Sequence, residues 1–506
     1  MGVFPVSRRP ESIISALARA LHRAPAERIA LDDGRRTVSY GALRASVDEE
    51  TAWLASTGGQ RFATMADNGI PWVVTDLALH FGRTPSVPLP SYFTDAQLQH
   101  ALDDAGIDSV LTDDSARLTN LSSGWSRAGE SPCTGLALFR RSLAAAALTE
   151  LPPGTVKVTY TSGSTAAPKG VCLGADHLEA VAQSLAQSTA VLDVQRHLCL
   201  LPLATLLENV GGVYAPLLAG ATCLLPGSAT TGMSYAGPDP GRLLAAIAAF
   251  APQSMILVPE LLQLLVVAAE RGWQAPATLK FIAVGGASVS ASLLARAAAA
   301  GLPAYEGYGL SECASVVCLN TPHARRAGSV GRPLPHVGVR LSPDGEILVS
   351  GAVMLGYLGE APRDPGAELA TGDLGEVDKD GFFYVRGRIR NIFITSLGRN
   401  VAPEWIEREI TQRLPQSQVM VFGEARPYPV ALVGSAHADA AAIDRVVGAA
   451  NVQLPDYARV RRWARVPEPF TLANGELTSN GRLRRTAILQ RHRDLIDGLY
   501  REALAS

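Results

Sequence analysis

Lysine is nearly missing from this 506-residue chain: of 45 basic residues only Lys157, Lys169, Lys280 and Lys379 are lysines, and arginine is the default cation. A lysine at a candidate site position therefore carries extra weight. Excess charge of one sign is missing too. The net charge of −2 gives no electrostatic footprint for nucleic acid. No apolar run approaches the roughly 18 residues needed to span a bilayer. The stretch 254–269 comes closest, and Pro259, Glu260 and Gln263 interrupt it. Arg8 and Arg9 are not followed by the apolar segment of a signal peptide, and Val6 stands where a myristoylation signal has Ser or Thr. The six cysteines (Cys133, Cys172, Cys199, Cys223, Cys313 and Cys318) make no C-x-x-C and no metal spacing, so they read as reduced, mostly buried thiols. There is no internal repeat. These absences point to a cytoplasmic enzyme without an integral membrane segment. The length implies more than one domain, and a hydrophobic content of 47% is ample for sizeable cores.

What is present is concentrated in Tyr160-Thr161-Ser162-Gly163-Ser164-Thr165-Ala166-Ala167-Pro168-Lys169-Gly170. Val156–Tyr160 before it and Val171–Leu173 after it read as strands. A strand–loop–strand with hydroxyls, backbone amides and one cation can wrap a polyphosphate. A Walker-type P-loop is disfavoured, because Pro168 replaces its glycine, Gly170 replaces its Ser/Thr, and a strand follows instead of a helix. A polar surface loop is the plain alternative.

Elsewhere the pattern alternates. Helices are expected over 10–22, 71–81, 94–105, around 211–218 and over 240–250. Another is expected from a capping box at Asp176-His177-Leu178-Glu179 to about Thr189. Strands are expected at 62–65, 87–89, 109–112, 198–203, 222–225, 255–258 and 281–284, with Pro88 at an edge or a strand end. This β/α alternation implies mostly parallel sheets with helices on their faces.

The 160–170 segment resembles the phosphate-binding signature of the acyl-adenylate-forming (AMP-binding) superfamily, departing from it at Ala166, where the family has glycine. Later segments extend the resemblance from about Ile29 to Arg485: Gly285-Gly286-Ala287-Ser288, the run Tyr305–Glu312, Thr371-Gly372-Asp373, Gly387–Ile394 and Asn474–Arg485. The segments 201–210 and 395–407 are most similar to the long-chain fatty acyl-CoA branch.

The resemblance implies an α/β fold with a large N-terminal domain over 1–388, a hinge at Arg390 and a small α+β domain over 391–506. It implies that Thr161, Ser162, Gly163, Ser164, Thr165 and Lys169 cradle phosphates, that Gly285, Gly286, Ala287 and Ser288 border adenine, and that Tyr308 stacks on it beside Gly309. Ser311 would touch the α-phosphate, Thr161 and Glu312 would hold Mg²⁺, and Asp373 and Arg388 would hold the ribose. Thr205, where the family branch has histidine, and Glu208 would belong to the acid pocket. Arg482 stands where the family has the lysine that bridges carboxylate and α-phosphate, and no lysine follows Lys379 to substitute for it.

The implied activity is ATP-dependent conversion of a small-molecule acid, foremost a fatty acid, to an acyl-adenylate, then transfer to a thiol. Coenzyme A is the first acceptor and the phosphopantetheine of a separate acyl carrier protein the second, since only about 20 residues follow Arg485. The run Arg459, Arg461, Arg462 and Arg465 would meet such a partner, or is simply a solvated face. A nucleotide or acyl-adenylate binding protein with weakened catalysis is a further reading, motivated by Arg482 and Ala166.

Overall fold

The computed structural model describes residues 15–121, 124–143, 149–161, 169–234, 237–414, 417–435, 438–478 and 481–501. Two large mixed sheets carry the N-terminal part. In the first, six strands run parallel in the order 304–310, 281–284, 254–257, 196–198, 222–224 and 29–32, with antiparallel strands at both edges. In the second, the pairs among 155–161, 86–88, 62–65 and 109–112 are parallel and the flanking pairs antiparallel. Central strands such as Phe281–Val284 and Ser254–Leu257 are short apolar runs because both faces are covered. A four-stranded antiparallel sheet (337–341, 346–351, 369–377, 383–388) follows. Residues beyond 393 build a three-stranded sheet (418–422, 430–434, 462–465) and helices around cores of their own. The fold is therefore α/β, with a large N-terminal part and a smaller C-terminal one.

Local signals explain most boundaries. The helix Pro240–Phe250 opens on proline with Asp239 as N-cap, whose side chain accepts from the Arg242 amide. The helix Ala16–Arg23 buries Leu17 and Leu21, four residues apart. Pro88 falls at a strand end, one of its two expected places, and that strand is interior, between 62–65 and 155–161. Two expectations are corrected. The strand expected over 198–203 is Arg196–Leu198, after which the chain leaves the sheet. The capping box at 176–179 does not form: Gly174 precedes the helix Ala175–Thr189 and no side chain caps it. Glu179 is instead buried, taking hydrogen bonds from the Leu17 amide (3.2 Å) and His80 Nε2 (2.9 Å), and these tertiary partners outbid the local one.

Burial pushes the Glu179 carboxyl up, but His80 and the Leu17 amide pull harder, leaving it below the usual carboxylate range. A depressed folded-state value contributes stability that is complete above the unfolded value and is lost as pH falls through the folded one. We expect Glu179→Gln to flatten the acid limb of the thermal unfolding temperature between about pH 5 and 3, with the N-terminal helix losing amide protection first in hydrogen exchange.

Candidate functional site

A cleft of about 3170 Å³ runs between the large sheets and the C-terminal part. The strand Phe281–Val284 ends at its rim, and the Gly285–Ser288 turn leaves Gly286, Ala287 and Ser288 exposed to it, with Gly286 at φ +82°. A neighbouring strand, Ala304–Leu310, changes partners midway. Its first half pairs parallel to 281–284, and its second half pairs antiparallel to 315–319. The reversal passes through the tight turn Ser311–Cys313, with Ala314 and Ser315 at positive φ. A Cβ at Gly309 would land inside the Ser315 carbonyl oxygen, so only glycine fits.

Tyr308, on that strand, donates to Asp373 Oδ2 (2.6 Å), and Arg388 Nε pairs with Asp373 Oδ1 at 2.7 Å. Asp373 is 4% exposed; burial pushes its carboxyl up, while Arg388 and Tyr308 oppose the rise.

Glu312 accepts from the Tyr357 phenol (3.0 Å). The same ring lies 4.8 Å from the Lys169 ammonium, which also pairs with Glu360 at 3.0 Å. Tyr357 thus ties the two residues together. It sits on a two-residue strand paired antiparallel to Lys169–Gly174, opposite Val171. Nothing local in the sequence signals it, because the pairing spans almost two hundred residues.

Arg482 reaches the cleft from the C-terminal part, and its Nη2 donates to the Gly286 carbonyl (3.2 Å). Arg388, Arg390 and Tyr92 surround the same place. Burial, then repulsion from Arg388, lowers the Arg482 guanidinium below its usual range. Three guanidiniums beside one buried carboxylate make a site for an anion. Tyr92, like Tyr357, is a member that the sequence motifs do not mark. Arg390 is exposed on a turn, Ile389–Asn391, that joins the strands 383–388 and 393–394.

Thr205 lines the cleft, its hydroxyl bound to the Pro202 carbonyl (2.7 Å). Glu208 does not reach it. Its side chain is fully buried, facing His197 Nε2 (3.6 Å) and accepting from the Leu201 amide (3.2 Å). Gly309 and Ser311 also line the cleft. Ser162, Gly163, Ser164 and Thr165 and the side chain of Thr161 lie outside the described residues. The run at 459–465 is internally satisfied in part: Arg459 and Arg461 both pair with Asp456, and Arg465 binds the Ser435 carbonyl. No helix among the described residues is long and apolar enough to cross a membrane.

A protein-family model described as AMP-binding enzyme matches residues 17–358, and one for the AMP-binding enzyme C-terminal domain matches 390–504. The chain belongs to the AMP-binding enzyme family. It is similar to the long-chain-fatty-acid–CoA ligase FadD15 of Mycobacterium tuberculosis, at 32% identity over 43% of this chain and 41% of that protein. It is also similar to a feruloyl-CoA synthase of a Streptomyces species, at 30% identity over 75% of this chain and 79% of that one. The match to the fatty-acid ligase spans less than half of that relative's length. Among solved structures, the anthranilate CoA ligase AuaEII with anthranoyl-AMP superposes with a TM-score of 0.74 over 97% of this chain and 98% of that one, at 18% identity. That likeness concerns the fold.

Gly309→Ala should cost about 3 kcal/mol or more, at the top of the range for overpacking a filled site. Differential scanning calorimetry should show a lowered unfolding transition of the large domain, and an unchanged transition would mean that the strand reversal tolerates a Cβ.

Proposed function

We propose that the protein is an AMP-forming acid–thiol ligase that activates a fatty acid and passes it to coenzyme A. The observation that carries this reading is the convergence, in one cleft, of the Lys169–Tyr357–Glu312 group, the Tyr308–Asp373–Arg388 group and Arg482, beside an apolar arm. We take as this arm the part of the cleft lined by Leu185, Ala186, Leu206, Leu207, Ile256 and Leu264. Gly285, just past one strand end, and Phe281 and Ser254, at the starts of their strands, also line the cleft, so we read the arm as running along the sheet between them. Such a run is about 13 Å at a strand's rise per residue, which suits an extended alkyl chain better than a single ring.

No side-chain nucleophile is required. The acid's carboxylate oxygen attacks the α-phosphorus of ATP, the bond to the pyrophosphate oxygen breaks, and pyrophosphate leaves. The protein contributes alignment and fixed positive charge where negative charge builds up. Lys169 would hold the outer phosphates together with residues 162–165. Asp373 would accept from the ribose hydroxyls, with Arg388 fixing it, and Tyr308 would lie along the base. Arg482 would sit between carboxylate and α-phosphate; its contact with the Gly286 carbonyl supports that reading. The oxygen of Glu312 is a hard donor that suits Mg²⁺ and would hold it together with Thr161; the ion when bound would neutralise phosphate charge. In the second step a thiolate attacks the acyl carbon and AMP departs. Arg390 would be the pivot that swings the segment beyond 391 between the two steps.

Pyrophosphate release with a panel of straight-chain and aromatic acids, with and without coenzyme A, tests the reading. Release with the longer straight-chain acids, and their thioesters with coenzyme A, is the expected outcome. Transfer only to a phosphopantetheine carrier would reassign the acceptor, and nucleotide binding without release would leave a binding protein. Lys169→Ala should lower turnover by about a hundredfold without changing the unfolding temperature. Glu312→Gln should shift the Mg²⁺ titration to higher concentration.

Arg482→Lys separates the half-reactions. Lysine restores a compact cation, so pyrophosphate release should rise by roughly threefold to thirtyfold. Thioester formation from pre-made acyl-adenylate should stay the same. Equal changes in both steps would remove the two-conformation role of this residue, and a loss of release would mean that the pocket is fitted to arginine.

A further inference from the structure

A polar cluster lies buried behind the apolar arm, and the chemistry above does not use it. Lys157 is 1% exposed; its ammonium donates to Asp76 Oδ1 (2.7 Å), to Asn209 Oδ1 and to the Tyr214 hydroxyl (3.2 Å). Asp76 Oδ2 accepts from Asn209 Nδ2 (2.9 Å) and from the same hydroxyl (2.7 Å). The charges are opposite and the four groups satisfy one another, as a buried ion pair requires. Here a lysine is kept in a chain whose default cation is arginine, and a compact ammonium suits a cage of three oxygens.

Asn209 and Tyr214 are the first and last residues of a π-helical segment, Asn209–Tyr214, set between the short α-helical stretches Leu206–Glu208 and Ala215–Leu218. The wide turn is confirmed by its backbone: the Ala215 amide bonds to the Val210 carbonyl, five residues back. In an α-helix residues five apart point about 140° away from each other and could not close on one ion pair. In this wider turn both ends meet Asp76. Glycines complete the fit. A Cβ at Gly211 would come within 2.8 Å of Ile256 Cδ1, and one at Gly212 would overlap Glu208 Oε1. The opposite side of the same helix walls the apolar arm with Leu206, Leu207, Gly211, Ala215 and Pro216.

We propose that the buried Asp76–Lys157 pair clamps residues 209–214 in the π turn and thereby sets the bore of the acid tunnel. Asp76, Lys157, Asn209 and Tyr214 are then positioning residues that determine which acids are accepted without touching them. The inference rests on the assignment of the apolar arm to the acid. Without the clamp the segment relaxes to α-helix. That removes one residue of expansion, and Ala215 and Pro216 turn by about 100° relative to the wall they now form.

Two variants test this. Tyr214→Phe removes a single hydroxyl from the clamp. The double variant Asp76→Asn with Lys157→Met removes both charges, so that no buried charge is left unpaired. For each, kcat/KM is measured over straight-chain acids from short to long, together with the KM for ATP, and the crystal structure is determined. The ratio of kcat/KM between long and short acids should change by about tenfold or more, comparable to misfitting one methylene in an apolar pocket, while the KM for ATP stays within about twofold. Residues 209–214 of the double variant should be α-helical. A uniform fall for all acids, or an unchanged ratio, overturns the selectivity role, because general destabilisation does not reorder substrates. A retained π turn in the double variant overturns the clamp. If the parent protein turns over no acid at all, it is the ligase assignment that fails, and the crystal structures alone decide the clamp.

Discussion

The site depends on one constraint of backbone packing: the strand Ala304–Leu310 must serve two sheet geometries in seven residues. Its parallel half extends the first large sheet, and its antiparallel half carries the chain back through 315–319. At the seam, Gly309 lets two backbones approach where no side chain fits. The seam also fixes direction. It turns Tyr308 toward Asp373 in the four-stranded sheet and sends Glu312 toward Tyr357 on the second large sheet. Three sheets are thus registered against one another by one strand and the turn that follows it.

The electrostatics follow from that registration. Asp373 is almost fully buried, yet it is paired by Arg388 and hydrogen-bonded by Tyr308, so the cost of burying its charge is offset by two fixed donors. Arg482 lies among Arg388 and Arg390, which repel it, and Asp373, which favours its charge. Preorganised positive charge in a cleft is costly to maintain and is repaid when an anion arrives.

Much of this was legible from the chain alone where the signal is local. The strand Phe281–Val284 and the helix Pro240–Phe250 fall at their expected positions, because an apolar run and a proline with an aspartate cap need no distant partner. The glycine turn at 285, Tyr308, Asp373 and Arg482, each singled out by a motif, line one cleft. The misses have a common physical cause. Glu179 has the spacing of a cap but finds a better partner in His80, ninety-nine positions away in sequence. Glu208 turns into the core because His197 and the Leu201 amide lie there. The π turn answers to Asp76 and Lys157, which no periodicity over 206–218 can register. Tyr357 enters the site through strand pairing alone.

The scarcity of lysine has a practical side. Lys157 is sealed in the core, and the ammonium of Lys280 is held by the carbonyls of Leu192 and Asp193. Lys379 is exposed on a turn, and the side chain of Lys169 is 52% accessible at the mouth of the cleft. An amine-selective reagent therefore meets very few side-chain targets on this molecule, and one of them stands beside Glu312 and Tyr357. Acylating labels, amine cross-linkers and lysine-directed immobilisation, which on most proteins decorate the surface at random, would here act close to an affinity label. Cysteine chemistry offers no easier handle, since five of the six thiols are buried. Attachment through introduced surface cysteines would leave the cleft open.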